Sequence, residues 1–252
     1  MRWTTIALLA AVLCTAAAAQ SVNLTYAPPA GDPVAYKATI EGSLDVPQMA
    51  GLQVKYEAQY KWTVTAVEAG KITRQVTVDS ASLDVSGQEL PCTFVGFPAE
   101  GIYGPDGRLS EATKPFPAPT MNNADTIVAL QLELHDLWLP AKEVAVGDTW
   151  EIDAEDPPSL MDMGGIDRSE KVHVKGTLES FDGTVATIVA VTSIEGEGMG
   201  AKATGEIKCT IKVDTGTWVV ISGEATLNLT QEGPGGKVVL RDWKIKVERA
   251  TA

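Results

Sequence analysis

The chain has 252 residues, with 20 basic side chains against 33 acidic ones and a net charge of −13. That sign disfavours nucleic acid and electrostatic docking on anionic membranes as partner classes, because both present phosphate. A hydrophobic fraction of 44% is enough for a large core in one elongated domain or two small ones.

Residues 1–19 read as a signal peptide. Arg2 supplies the basic start, Ile6 to Leu13 the apolar run, and Ala17 and Ala19 the small residues flanking a cut before Gln20. The apolar run falls short of the about 20 residues a bilayer-spanning helix needs. Lipidation at Cys14 is disfavoured because Leu13, not a small residue, precedes it. The expected protein is exported, periplasmic or extracellular, and its net charge after loss of Arg2 is −14. Its two cysteines, Cys92 and Cys209, are candidates for a disulfide in an oxidising compartment, with two buried thiols as the alternative.

In chain order, 20–120 is expected to form an N-terminal β half. Its clearest strand is 52–64. Leu52, Val54, Tyr56, Ala58, Tyr60, Trp62 and Val64 alternate there with polar residues, so one face meets a core and the other meets water. Glu68 to Lys71 predicts a turn and 72–85 a returning strand. Residues 98–120, rich in Pro and Gly, read as loop. The segment 121–140 is expected to connect the halves, with a helix near 123–137 capped by Asn122 or Asn123. Ile127, Leu130, Leu134 and Leu137 recur there at helical spacing, and Pro140 stops it. Residues 141–252 form the C-terminal β half. Strands are predicted at 170–181, 184–194, 203–213, 217–230 and 237–248, joined by turns at Asp182-Gly183, Asp214-Thr215-Gly216 and Gly233 to Gly236. The fold class is therefore mainly β, with long antiparallel strands forming a curved sheet, half-barrel or sandwich.

The halves resemble each other. Tyr36 matches Trp150, Met49, Gly51 and Leu52 match Met163, Gly165 and Ile166, the Gly70 turn matches that at Gly183, and Cys92-Thr93-Phe94 matches Cys209-Thr210-Ile211. On that pattern the two cysteines fall on corresponding strands.

Chemical motifs are sparse. Val213-Asp214-Thr215-Gly216-Thr217 matches an aspartic-protease loop, but that chemistry needs two aspartates sharing a proton and no second loop exists. A hairpin turn explains the motif. His135 and His173 are too far apart for an H-E-x-x-H site, and isolated surface histidines are expected. Asp153, Glu155, Asp156, Asp162 and Asp167 form an acidic stretch without EF-hand order, which reads as a solvated loop. No catalytic residue, cofactor or metal ligand is singled out. Tyr56, Tyr60 and Trp62 share one strand face and have two readings: the wall of a groove for an apolar ligand, or core.

The stretch Leu139 to Trp150, with Val146-Gly147-Asp148-Thr149-Trp150 at its end, resembles a phrase in exported bacterial β-sheet proteins of uncharacterised families. Tyr103-Gly104-Pro105-Asp106-Gly107-Arg108-Leu109 resembles the turn that precedes it there. More distantly, the plan is similar to the lipoprotein-carrier half-barrels of the bacterial envelope, which hold acyl chains on a concave apolar face. The resemblance implies a non-enzymatic binding protein for an apolar or lipid-like ligand, or for an envelope protein. The rivals are an extracytoplasmic hydrolase using carboxylates and a structural or protein-interaction module.

Overall fold

The computed structural model describes residues 20–117, 127, 131–132, 135–160, 168–198 and 201–250. The described elements are β1 (Ser21–Asn23), β2 (Val34–Val46), β3 (Met49–Glu68), β4 (Lys71–Val85), β5 (Gln88–Leu90), β6 (Pro98–Tyr103), β7 (Leu109–Lys114), β8 (Glu143–Ala145), β9 (Thr149–Glu155), β10 (Arg168–Phe181), β11 (Val185–Gly198), β12 (Ala201–Asp214), β13 (Val220–Gly233) and β14 (Gly236–Arg249).

Twelve strands make one antiparallel sheet in the order β7-β6-β4-β3-β2-β14-β13-β12-β11-β10-β9, with β5 on β4. β1 and β8 pair separately. The order is a single meander started in the middle. From β9 to β14 each strand lies beside its predecessor, β14 then pairs with β2, and the meander continues from β2 outward.

Period-two alternation fixes which face is which. Along β3 the buried positions are Val54, Tyr56, Ala58, Tyr60 and Trp62, and every intervening residue is exposed. The register carries that face across the sheet, Tyr36 opposite Tyr60, Ile40 opposite Tyr56, and Ile245 opposite Ile40. The opposite face is charged, with ion pairs such as Lys61–Asp79 at 2.8 Å and Lys37–Glu57 at 3.3 Å, both solvent-exposed.

The sheet is not closed into a barrel. Its two edges are nevertheless tied where they approach. Phe116 N–H donates to the Leu160 carbonyl (2.7 Å), Leu139 N–H to the Asp106 carbonyl (2.8 Å), and β1 joins β8. The apolar face is thus the inside of a curled sheet. Leu24, Tyr26, Phe94, Phe116, Leu137 and Leu139 are packed into that core.

The turns follow from local chemistry. Ala69 and Gly70 both have positive φ, and Gly183 has φ +98° with the Asp182 carboxylate accepting from Thr184 and Val185 N–H. Two glycines elsewhere make room for tryptophans. A Cβ at Gly176 would lie 2.2 Å from the Trp150 ring, and one at Gly42 2.3 Å from Trp243.

Two expectations need correction. Residues 98–120 are not all loop: β6 and β7 form a hairpin there, and Gly104 to Gly107 are its turn, with φ +73° at Gly107. The small residues of β6 are a packing requirement, since a Cβ at Gly101 would lie 2.3 Å from Leu109. Cys92 and Cys209 do not occupy equivalent strands and no disulfide joins them. Cys209 lies within β12 and Cys92 in the loop after β5. Most of the expected helix near 123–137 lies outside the described residues; Ile127, Gln131 and Leu132 are helical. The matched segment 163–166, the acidic residues Asp162 and Asp167, and residues 1–19 also lie outside them.

Candidate functional site

Two features on the inner face stand out, a buried polar cluster and an apolar cleft. The cluster sits at β2–β4. Strand β4 places Ile72, Arg74 and Val76 inward by alternation, so an arginine takes a core position and is only 7% exposed. Its guanidinium lies 4.2 Å from the Trp62 ring centroid, 4.5 Å from Tyr103 and 5.7 Å from Tyr26. Aromatic faces attract a cation, and desolvation strengthens the attraction. Burial works against the Arg74 charge, but the surrounding phenols and Asp136 hold its pKa above the usual arginine value.

His135 enters the same cluster from the connecting segment and is 3% exposed. It is therefore not a surface histidine. One hydrogen bond of 2.6 Å joins its Nε2 to the Tyr60 hydroxyl, and Tyr36, Tyr60 and Trp62 surround its ring at 5.0–5.7 Å between centroids. Burial, with Arg74 nearby, lowers its pKa from 6.5 to about 3. Burial likewise raises Tyr60 well above the ordinary phenol value and Tyr36 to about 12. His135 and the phenols are thus neutral across the physiological range and Arg74 carries the charge. Tyr56 donates to Gln131 Oε1 at 3.5 Å. Among the described residues, two buried polar atoms have no hydrogen-bond partner, Trp62 Nε1 and Gln131 Nε2.

Tyr56, Tyr60 and Trp62 are therefore buried, at 1%, 0% and 4% exposure, packed against the connecting segment. Arg74 was missed by sequence reading. Its signal was parity, since it falls on the apolar positions of 72–85.

The cleft lies at the other end of the sheet. Val172 and Val174 of β10, Ile188, Ala190 and Ile194 of β11, and Ile207, Cys209 and Ile211 of β12 line it. Trp138, Pro157 and Pro158 stand over them, and Asp136, Glu170 and Thr192 supply polar groups. Its volume is about 100 Å³. That is below the ~150 Å³ of an apolar cavity that stays dry and admits benzene, so the space suits one alkyl segment or a small ring. Burial raises the Cys209 thiol to about 11, which leaves it a protonated, apolar wall.

The remaining candidates resolve locally. Asp214 makes a turn, its Oδ1 accepting from Gly216 and Thr217 N–H at 2.9 Å each. His173 is exposed and bonds Asp153 at 2.8 Å on the outer face, away from His135. Among the described residues no group of three or more His, Cys, Asp or Glu side chains is placed to hold a metal. No described helix is long and apolar enough to cross a membrane.

No family model matches the sequence, and no match is found among curated proteins. Among solved structures the chain is similar to lipovitellin, in a structure concerned with lipid–protein interactions, at a TM-score of 0.52 and 12% identity. The match covers 88% of this chain and 25% of lipovitellin, so the chain spans a quarter of that protein's length. At that identity the likeness concerns the fold, a large open antiparallel sheet. DynF of the dynemicin pathway of Micromonospora chersina aligns over 94% of this chain and 88% of its own at 9% identity, with a TM-score of 0.28.

Proposed function

We propose that this protein is an exported, non-enzymatic carrier that holds an apolar, lipid-like molecule on the inner face of its curled sheet. The observation that carries the reading is the cleft over β10–β12, where seven aliphatic side chains and a protonated thiol meet under Trp138. Apolar walls with few polar groups favour binding through burial over chemistry. The lipovitellin-like fold is in keeping with this reading, since that protein interacts with lipid. Export rests on the leader-like residues 1–19.

The cleft's size selects a ligand presenting one chain or one ring. Protein purified from its own host without detergent should show a co-purifying organic mass in native mass spectrometry. Ala190→Trp, which fills the cleft, should remove that mass while preserving the circular dichroism spectrum. A bare wild-type protein that also takes up nothing from a host lipid extract would sink the proposal. A hydrolase reading has Asp136 and Glu170 on the same cleft in its favour. Asp136→Asn and Glu170→Gln should leave ligand retention intact in a carrier.

A further inference from the structure

A second cavity, of about 140 Å³, opens at the other end of the inner face. Its walls are Tyr26, Tyr36, Trp62 and Trp218, with Pro28 and Pro29 from the segment after β1, and Arg74 forms part of the lining. It shares no lining residue with the cleft on β10–β12. We propose that this pocket binds a small monocarboxylate with a flat apolar body, with Arg74 as the anion-binding group.

An arginine only 7% exposed is a costly residue to place on a sheet face otherwise built from Ile72, Val76 and Val78. Its guanidinium carbon lies over the Trp62 and Tyr103 rings, which stand at 89° to one another, so at most one of them can lie flat against it. A guanidinium carries five N–H donors in its plane, more than ring contacts can occupy, and a carboxylate matches two of them with parallel bonds. Trp62 contributes its ring to the wall of the same pocket. The site thus joins a cation to aromatic walls.

Charge narrows the ligand further. Asp32 also lines the pocket and is exposed, Asp136 already acts on Arg74, and the whole chain carries −13. These fields penalise a phosphate dianion more than a carboxylate. The aromatic walls favour a ring, and the volume is close to the ~150 Å³ that admits benzene.

Isothermal titration with phenylacetate, phenylacetamide and inorganic phosphate at pH 7 and low salt tests this. Phenylacetate should bind at least about tenfold more tightly than the neutral amide, consistent with one charge-assisted pair, and phosphate should give no heat. Asp32→Asn, at an exposed position, should tighten phenylacetate by about two- to threefold at low salt and leave the amide unchanged. Arg74→Met should abolish the acid's advantage. If that variant does not fold, the Asp32→Asn comparison decides alone. Equal affinity for acid and amide, no binding of either at 10 mM (about the weakest affinity the method resolves), or an Asp32→Asn effect absent at low salt would each overturn the proposal. Ala190→Trp should leave phenylacetate binding unchanged, so this result and that of the carrier reading fail separately.

Discussion

His135 should make the protein's stability depend on pH in a way that a single substitution removes. The ring is neutral in the fold because burial lowers its pKa from 6.5 to about 3. An unfolded chain returns it to the ordinary value. Between those limits the unfolded state binds a proton that the folded state refuses, so stability is full above about pH 6.5 and falls as the pH drops toward 3. From pH 8 to pH 5 the unfolded histidine gains about 1.5 pH units of protonation free energy, and the folded one almost none. At 1.36 kcal/mol per unit, the loss is about 2 kcal/mol. Carboxylates titrate too, so the measurable quantity is a difference. Urea melts of wild type and His135→Gln at pH 8 and pH 5 give it, because glutamine retains a polar side chain beside Tyr60 and cannot take a proton. Wild type should lose about 2 kcal/mol more than the variant over that interval. Equal losses in both proteins would mean that His135 takes up its proton in the fold as readily as in the unfolded chain, and the assignment of a neutral cluster around one charged arginine would be refuted.

Three further substitutions probe the frame. Trp62→Ala removes a buried indole and a cation–π partner of Arg74 and should cost about 3–5 kcal/mol in a denaturant melt; an unchanged midpoint would show that the β3 stripe is not core. Gly176→Val drives a side chain into the Trp150 ring, 2.2 Å from the new Cβ, and should destabilise by at least about 1–3 kcal/mol, with a change in Trp fluorescence. Asp214→Ala loses only two turn hydrogen bonds and should cost about 1–2 kcal/mol while leaving ligand retention intact; pepstatin-sensitive proteolysis lost in this variant would reverse that reading.

The strands were legible because the outer face is wetted along nearly the whole sheet, so alternation survives in the text, as at Leu52 to Val64 and Ala203 to Val213. Their turns were legible for the same local reason, Asp-Gly and Ala-Gly chemistry. What hid was non-local. The β6–β7 hairpin reads as loop because Gly101 is small to admit Leu109 and Leu160, a constraint set by residues elsewhere in the chain. His135 reads as a surface residue because its partners, Tyr36 and Tyr60, come from strands 75 or more positions away. Cys92 and Cys209 share a tripeptide pattern, yet one sits in a loop and the other in a strand, because a three-residue phrase does not determine pairing. Arg74 was visible only as a charge at an apolar parity.

The position of the cleft follows from how the two ends of the inner face are filled. At β2–β4 the inward residues are large: Tyr36, Tyr56, Tyr60, Trp62 and Arg74. Together with Tyr26, Tyr103 and His135 they fill much of the interior at that end, with a mouth beside Arg74. At β10–β12 the same parity carries aliphatic and small groups in place of rings, with Val174 opposite Thr192 and Gly176 opposite Ala190, which in turn faces Cys209. Equal strand spacing with unequal side-chain volume must leave space at the second end unless something else fills it. Trp138 covers part of that space, with its backbone carbonyl accepting the Trp150 indole N–H at 2.9 Å and so fixing the chain beside β10. The sheet's open seam runs along this side too, since β9 is an edge strand and Pro157 and Pro158 follow it. Edge strands need protection from further pairing, and β9 presents Glu151, Asp153 and Glu155 outward for that purpose. Small inward residues, a fixed tryptophan and an unpaired charged edge therefore coincide at one place. The cleft therefore opens beside an edge strand, where its mouth interrupts no strand ladder.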